Sequence, residues 1–140
     1  MSTIQAKPKP APRVLVVDDD PVFVKTISEV AKQQRIPITS FSSPMEAYRA
    51  TQAIKFDVAI LDYDLGKVTG VQLARHLLRT AQSPVLIVSN CTDLGNNQWP
   101  HSIKKFLPKS LGAQALLVEA LMVYDAACDE SHPEPGGTYV

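Results

Sequence analysis

Short apolar runs alternate along this chain with segments whose apolar residues recur every three or four positions. The runs RVLVV, IPITS, DVAIL, PVLIV and IKKFL predict β-strands. Most of these runs are continuous, which is typical of strands that are buried on both faces of a sheet. Pro37 in IPITS cannot donate a ladder hydrogen bond, so we expect that strand at an edge of the sheet.

Helical patterns follow most of the strands, and capping residues indicate where the helices begin. Asp20 is suited to cap the first helix, with Pro21 at its opening position. Ser43 and Glu46 have the spacing of a capping box at the start of the second helix. The alternation of strand and helix predicts a parallel sheet with right-handed crossovers, which is a three-layer α/β sandwich.

The segment between the last two strands departs from this pattern. SNCTDLGNNQWPHS contains Gly95, Asn96, Asn97 and Pro100 and has no helical periodicity, so a fourth helix there is expected to be short or absent. Both termini are polar and rich in Pro or Gly. We therefore expect a disordered leader at 1–12, a folded domain at 13–127 and a disordered tail at 128–140.

Composition narrows the functional classes. The chain has 140 residues, enough for one domain, and its 14 basic and 14 acidic residues give a net charge of zero, which does not indicate a nucleic-acid or membrane partner. No apolar stretch approaches the about 20 residues that span a bilayer, and the N-terminus lacks a secretory signal. Cys91 and Cys128 form no CxxC pair, so we interpret them as free thiols in a reducing cytoplasm.

Candidate chemistry lies at the carboxyl ends of the predicted strands, which meet at one edge of such a sheet. Asp18 and Asp19 follow the first strand, Asp62 the third, Ser89 the fourth, and Lys109 the fifth. Three neighbouring carboxylates repel one another and raise at least one pKa unless a cation joins them. Mg²⁺ suits such oxygen ligands, and a lysine beside it suits a phosphoryl group.

These motifs together resemble the receiver domain of two-component response regulators. The resemblance rests on VVDDDP, LDYDLGKVTG, the serine in IVSN, and FLPK, and it extends from about Arg13 to Ala127. It implies a flavodoxin-like fold with a five-stranded parallel sheet of order 2-1-3-4-5. It also implies that Asp62 accepts a phosphoryl group from a sensor histidine kinase or a phosphotransfer protein.

The resemblance further implies roles for the residues around the acceptor. Asp19, Asp62 and the backbone carbonyl of Asp64 would bind Mg²⁺, and Asp18 would act mainly through water. Lys109 would pair with Asp62 or with its phosphate.

The same resemblance implies a conformational switch. Ser89 would move toward the phosphoryl group, and Phe106 fits the switch aromatic that changes rotamer with it. Without a tyrosine hydroxyl, Phe106 could act only through packing.

Several positions depart from the family pattern. Ser110 stands where the lysine is usually followed by a proline with a cis bond, which leaves the placement of Lys109 open. Gly66 stands where the family often has a proline after the acceptor. Asn90 stands where the family usually has alanine or threonine after the switch hydroxyl. The irregular segment lies where the family usually has an output and dimer surface, so Trp99 is either an interface anchor there or a cover for the core.

Three functions remain open from the sequence. The first is a stand-alone phosphorylated receiver, a monomer or weak dimer that acts by protein contact or phosphotransfer and is not itself an enzyme. The second is a pseudo-receiver that binds partners without being phosphorylated. The third is an aspartate-nucleophile phosphatase, suggested by DYD, although no cap is encoded and the motif is not on the first strand.

Overall fold

The computed structural model describes residues 10–80, 83–90 and 99–131. Its strands are β1 (Val14–Val17), β2 (Ile38–Phe41), β3 (Val58–Asp62), β4 (Val85–Ser89) and β5 (Ile103–Pro108). They form one parallel sheet in the order β2-β1-β3-β4-β5, which confirms the predicted flavodoxin-like topology. β2 lies at an edge as predicted, and Pro37 precedes it, accepting a hydrogen bond from the Val14 N–H at 3.0 Å.

The helices among the described residues are α1 (Pro21–Gln33), α2 (Pro44–Ala53), α3 (Gly70–Thr80) and α4 (Ala113–Ser131). The predicted caps are confirmed. A carboxylate oxygen of Asp20 accepts from the Val22 N–H at 3.0 Å, and the Ser43 hydroxyl accepts from the Glu46 N–H at 3.4 Å. A short 3-10 helix, Lys109–Leu111, joins β5 to α4.

The sheet separates two apolar layers because side chains alternate along each strand. In β1, Val14 and Val16 face the layer that contains α1 and α4, whereas Leu15 and Val17 face the layer that contains α2 and α3. The central strands β1, β3 and β4 are buried at every position. This two-sided burial explains why their sequences are continuous apolar runs.

The end of the folded domain differs from the predicted one. α4 continues to Ser131, beyond Ala127 where the sequence placed the end of the domain, because the first helix-breaking residue after it is Pro133. The predicted short or absent helix falls on residues 91–98, outside the described residues, as do most of the predicted leader and tail. Among the described residues, no helix is both long enough and apolar enough to cross a membrane.

Gly70 holds the start of α3 against the end of β3. Its N–H donates to the Tyr63 carbonyl at 2.8 Å, and a Cβ at this position would overlap the carbonyl oxygen of Asp62 and lie 3.3 Å from Ile87 Cδ1. We expect Gly70→Ala to lower the free energy of unfolding by about 2–3 kcal/mol, because backbone must shift to accept the methyl group.

Chemical denaturation measures this change directly. Val22→Ala is the control, since Val22 is 71% exposed. Truncation of its side chain should change the free energy of unfolding by less than about 0.5 kcal/mol. Equal stability of Gly70→Ala and the wild type would show that the close packing is not present in solution.

Candidate acidic site

An acidic cluster lies at the carboxyl edge of the sheet. Asp18 directly follows β1, Asp19 comes next, and Asp62 is the last residue of β3. Each contributes a carboxylate oxygen to a group in which all three oxygens lie within 4.8 Å of one another. Asp18 and Asp62 are buried and Asp19 is exposed, so the cluster opens to solvent on one side.

The start of α1 fixes the position of Asp18. One of its carboxylate oxygens, Oδ1, accepts from the Asp20 N–H at 2.9 Å. The other, Oδ2, is buried and receives no well-aligned hydrogen bond from the described residues, although it contacts a lysine ammonium. Three carboxylate oxygens within 4.8 Å of one another repel unless a cation joins them, so the donor set of the cluster fits a hard divalent ion.

Lys109 reaches the same cluster from the end of β5. Its Nζ lies 2.7 Å from Asp18 Oδ2 and 3.4 Å from Asp62 Oδ2, and its side chain is 9% exposed. No peptide bond in the described part of the chain is cis, so the bond from Lys109 to Ser110 is trans. Lys109 therefore reaches both carboxylates with a trans bond to Ser110.

The electrostatics of the cluster centre on Asp62. Burial raises the pKa of its carboxyl from an ordinary 3.8 to about 6, and the Asp18 carboxylate adds to this rise. Lys109 and the backbone N–H of Asp64 oppose it by stabilising the charged form. For Lys109, burial lowers the pKa, but the neighbouring carboxylates of Asp18 and Asp62 outweigh burial and raise it.

The loop after β3 brings the backbone of Asp64 beside Asp62. The backbone of Asp64 lowers the pKa of the Asp62 carboxyl, and Asp64 pairs with Thr69 in an isolated antiparallel bridge. The exposed side chain of Asp64 is used in the loop itself, where Oδ1 accepts from the Gly66 N–H at 3.1 Å. Gly66 has φ of +88°, a conformation that favours glycine and explains its presence there.

The two predicted switch residues lie on neighbouring strands beside the cluster. Ser89 is buried at the end of β4, and Phe106 is half-buried in β5. The Phe106 ring stacks on Trp99 with a centroid distance of 4.7 Å and contacts Tyr63, next to Asp62, at 5.8 Å. Trp99 thus covers Phe106, and an aromatic chain leads from Tyr63, after the end of β3, to the segment before β5.

Sequence reasoning missed two of these contacts. It assigned no partner to Phe23, whose ring lies 5.0 Å from Lys109 Nζ, and no role to Tyr63. In the sequence, Phe23 is one of several apolar residues in the helical pattern after the first strand, and nothing local distinguishes it. The position of Tyr63 beside Asp62 was the one available signal for the aromatic chain.

The fold and the cluster agree with a comparison to known families. The family model of the response regulator receiver domain matches residues 14–121. This chain belongs to that family, which functions in two-component signalling.

Individual relatives are similar over parts of their length. The chain is 38% identical over 85 residues, 59% of its length, to a protein-glutamate methylesterase/protein-glutamine glutaminase 2 of Vibrio vulnificus. The match spans 25% of that protein, and matches to similarly named Pseudomonas proteins span 22% of theirs. The chain thus spans about a quarter of the length of these curated relatives.

Solved structures show the same fold. The signal receiver domain of an HD domain-containing protein from Pseudomonas fluorescens has a TM-score of 0.79 at 16% identity, with 93% of this chain and 98% of that one covered. A response regulator from Burkholderia pseudomallei, whose structure has a phosphorylated aspartic acid, calcium ion and citrate, has a TM-score of 0.67 at 18% identity, with 89% and 75% covered.

Proposed function

We propose that this chain is a phosphorylated receiver in which Asp62 accepts a phosphoryl group from a histidine kinase or phosphotransfer protein. The observation that carries the proposal is the convergence of Asp18, Asp19, Asp62 and Lys109 at one edge of the sheet. The Burkholderia relative, with its phosphorylated aspartic acid and calcium ion, supports the same chemistry at this fold.

The transfer would break the N–P bond of a phosphohistidine and form an O–P bond to a carboxylate oxygen of Asp62. Such a reaction needs positioning and charge stabilisation more than covalent help from other residues. Lys109 lies 3.4 Å from Asp62 Oδ2, so it could neutralise a phosphoryl oxygen there. The buried Ser89 hydroxyl at the end of β4 would donate a hydrogen bond to a second phosphoryl oxygen.

Asp19, Asp62 and the Asp64 carbonyl would hold Mg²⁺, with Asp18 acting mainly through water. The ion would offset the repulsion among the carboxylates and stabilise the charge that develops on the phosphoryl oxygens. Lys109 already lies between Asp18 and Asp62, so a bound ion and the lysine would share these two carboxylates.

The alternative is a pseudo-receiver, and a small phosphodonor separates the two. Acetyl phosphate with Mg²⁺ should add one phosphoryl group to the intact wild-type protein, as measured by mass spectrometry. The Asp62→Asn variant should take up no phosphoryl group. Asp64→Asn is the matched control, because it changes a nearby carboxylate but keeps the backbone carbonyl, and it should still be modified.

No phosphoryl addition to the folded wild-type protein under these conditions would favour the pseudo-receiver. Continuous release of phosphate from a phosphate monoester, abolished by Asp62→Asn, would instead favour the phosphatase.

Phosphorylation should also change the fluorescence of Trp99, the single tryptophan in the chain. Trp99 stacks on Phe106, so movement of that ring would alter the environment of the indole. We expect its emission to change when the phosphodonor and Mg²⁺ are added, and to stay constant in Asp62→Asn. A phosphorylated wild-type protein with unchanged emission would show that Phe106 does not switch.

A further inference from the structure

Phe23 provides an aromatic surface for the site lysine. It is the third residue of α1 and is half-buried against the core layer between the sheet, α1 and α4. The Nζ atom of Lys109 lies 5.0 Å from the centroid of its ring. Within about 6 Å, the face of an aromatic ring attracts a cation through its quadrupole.

Contacts made by the side chain decide where the Lys109 ammonium lies. Lys109 begins a 3-10 helix with a trans bond to Ser110 instead of the usual proline. A lysine side chain has four flexible bonds and loses much rotamer freedom when it is fixed in one place. Asp18, at 2.7 Å, and Asp62, at 3.4 Å, attract the ammonium by its charge.

We propose that Phe23 is a positioning residue whose ring face holds the Lys109 ammonium between Asp18 and Asp62. This inference rests on the proposed function, since the ammonium held there is the one that would meet the phosphoryl group. The ring of Phe23 supplies a third contact to the ammonium. This contact comes from α1, and the ring carries no net charge, unlike the two carboxylates. With these three contacts in place, the ammonium would need little reorganisation when the phosphoryl group arrives.

A packing role alone makes a different prediction. If Phe23 only filled space, leucine would replace it with little consequence for Lys109, because leucine also packs in an apolar layer. If the ring face matters, tyrosine should preserve the effect and leucine should lose it. Phe41→Leu is the matched control, since it makes the same change in a half-buried phenylalanine on the other side of the sheet.

The first measurement does not depend on phosphorylation. In the wild type, NMR should show the Lys109 side-chain methylene protons nearest Nζ shifted upfield, because they adjoin the ammonium that lies over the ring. The shift should persist in Phe23→Tyr and Phe41→Leu and disappear in Phe23→Leu. An identical chemical shift in Phe23→Leu and the wild type would overturn the proposed contact.

The second measurement is the rate of phosphorylation by acetyl phosphate with Mg²⁺. We expect Phe23→Leu to lower it about three- to tenfold and Phe23→Tyr to stay within about twofold of the wild type. In a Lys109→Gln background, Phe23→Leu should cause no further decrease, because its effect acts through the lysine. Equal rates for Phe23→Leu and the wild type, or an additive loss in the double variant, would overturn the inference.

The two measurements also separate this inference from the proposed function. A wild-type protein that takes up no phosphoryl group contradicts the proposed function. In that case the chemical shifts still decide whether Phe23 holds Lys109.

Discussion

Lys109→Met is expected to lower the free energy of unfolding by about 3 kcal/mol at pH 7 in the presence of a chelator. The lysine contacts Asp18 at 2.7 Å and Asp62 at 3.4 Å, and the Asp18 side chain has no exposed surface. Its removal leaves buried carboxylates without a neutralising partner. Leaving a buried charge uncompensated costs far more than losing an exposed pair, because water cannot replace the missing partner.

A second ion pair in the same protein provides the control for this experiment. Lys105 lies 2.6 Å from Glu119, but their side chains are 41% and 28% exposed. Lys105→Met should therefore cost less than about 1 kcal/mol. Adding Mg²⁺ should restore part of the stability of Lys109→Met, because a bound ion would neutralise the same carboxylates. Equal losses of stability in Lys109→Met and Lys105→Met would show that Lys109 does not bridge buried carboxylates.

Asp62→Asn is expected to raise the free energy of unfolding by about 2 kcal/mol at pH 7 in chelator. Burial and the Asp18 carboxylate raise the pKa of Asp62 to about 6 in the folded protein, above its ordinary 3.8. The folded state therefore holds this proton more tightly than the unfolded state, and ionisation of Asp62 destabilises the fold. Asparagine removes that charge.

The pH dependence follows from the same shift. The stability that protonated Asp62 contributes is fully present below about pH 4 and is lost as the pH rises through about 6. The difference between Asp62→Asn and the wild type should thus be near zero at about pH 4 and reach its full size just above pH 6. Asp18, Asp19 and Lys109 face the same carboxyl, so both proteins must be compared in the same salt and chelator.

Asp64→Asn is the matched control for the stability difference. Its carboxylate is exposed and lies two residues from Asp62. We expect a change of less than about 0.5 kcal/mol at every pH. A difference between Asp62→Asn and the wild type that did not vary between pH 4 and pH 7 would contradict the raised pKa of Asp62.

The fold could be predicted from the sequence because its signals are local and agree with one another. The apolar runs of β1, β3 and β4 are continuous since both faces of these strands are buried. The caps at Asp20 and Ser43 involve contacts within three residues. The positions of Asp18, Asp62 and Lys109 followed from the strand ends, because a parallel sheet brings its carboxyl ends to one edge.

The remaining features depend on contacts between distant residues, which no local pattern encodes. The ring of Phe23 under Lys109 joins the start of α1 to the end of β5. The stacking of Trp99 on Phe106 depends on the path of the chain before β5. The closeness of Lys109 to Asp18 was also not evident, since the sequence suggested pairing with Asp62.

Locating the modified residue is the most direct test of the central claim. After incubation with acetyl phosphate and Mg²⁺, borohydride reduction should convert a phosphorylated aspartate to homoserine, which peptide mass spectrometry can assign to a position. We expect conversion at Asp62 and none at Asp18, Asp19 or Asp64. Conversion at another aspartate, or at none in the folded wild-type protein, would contradict it.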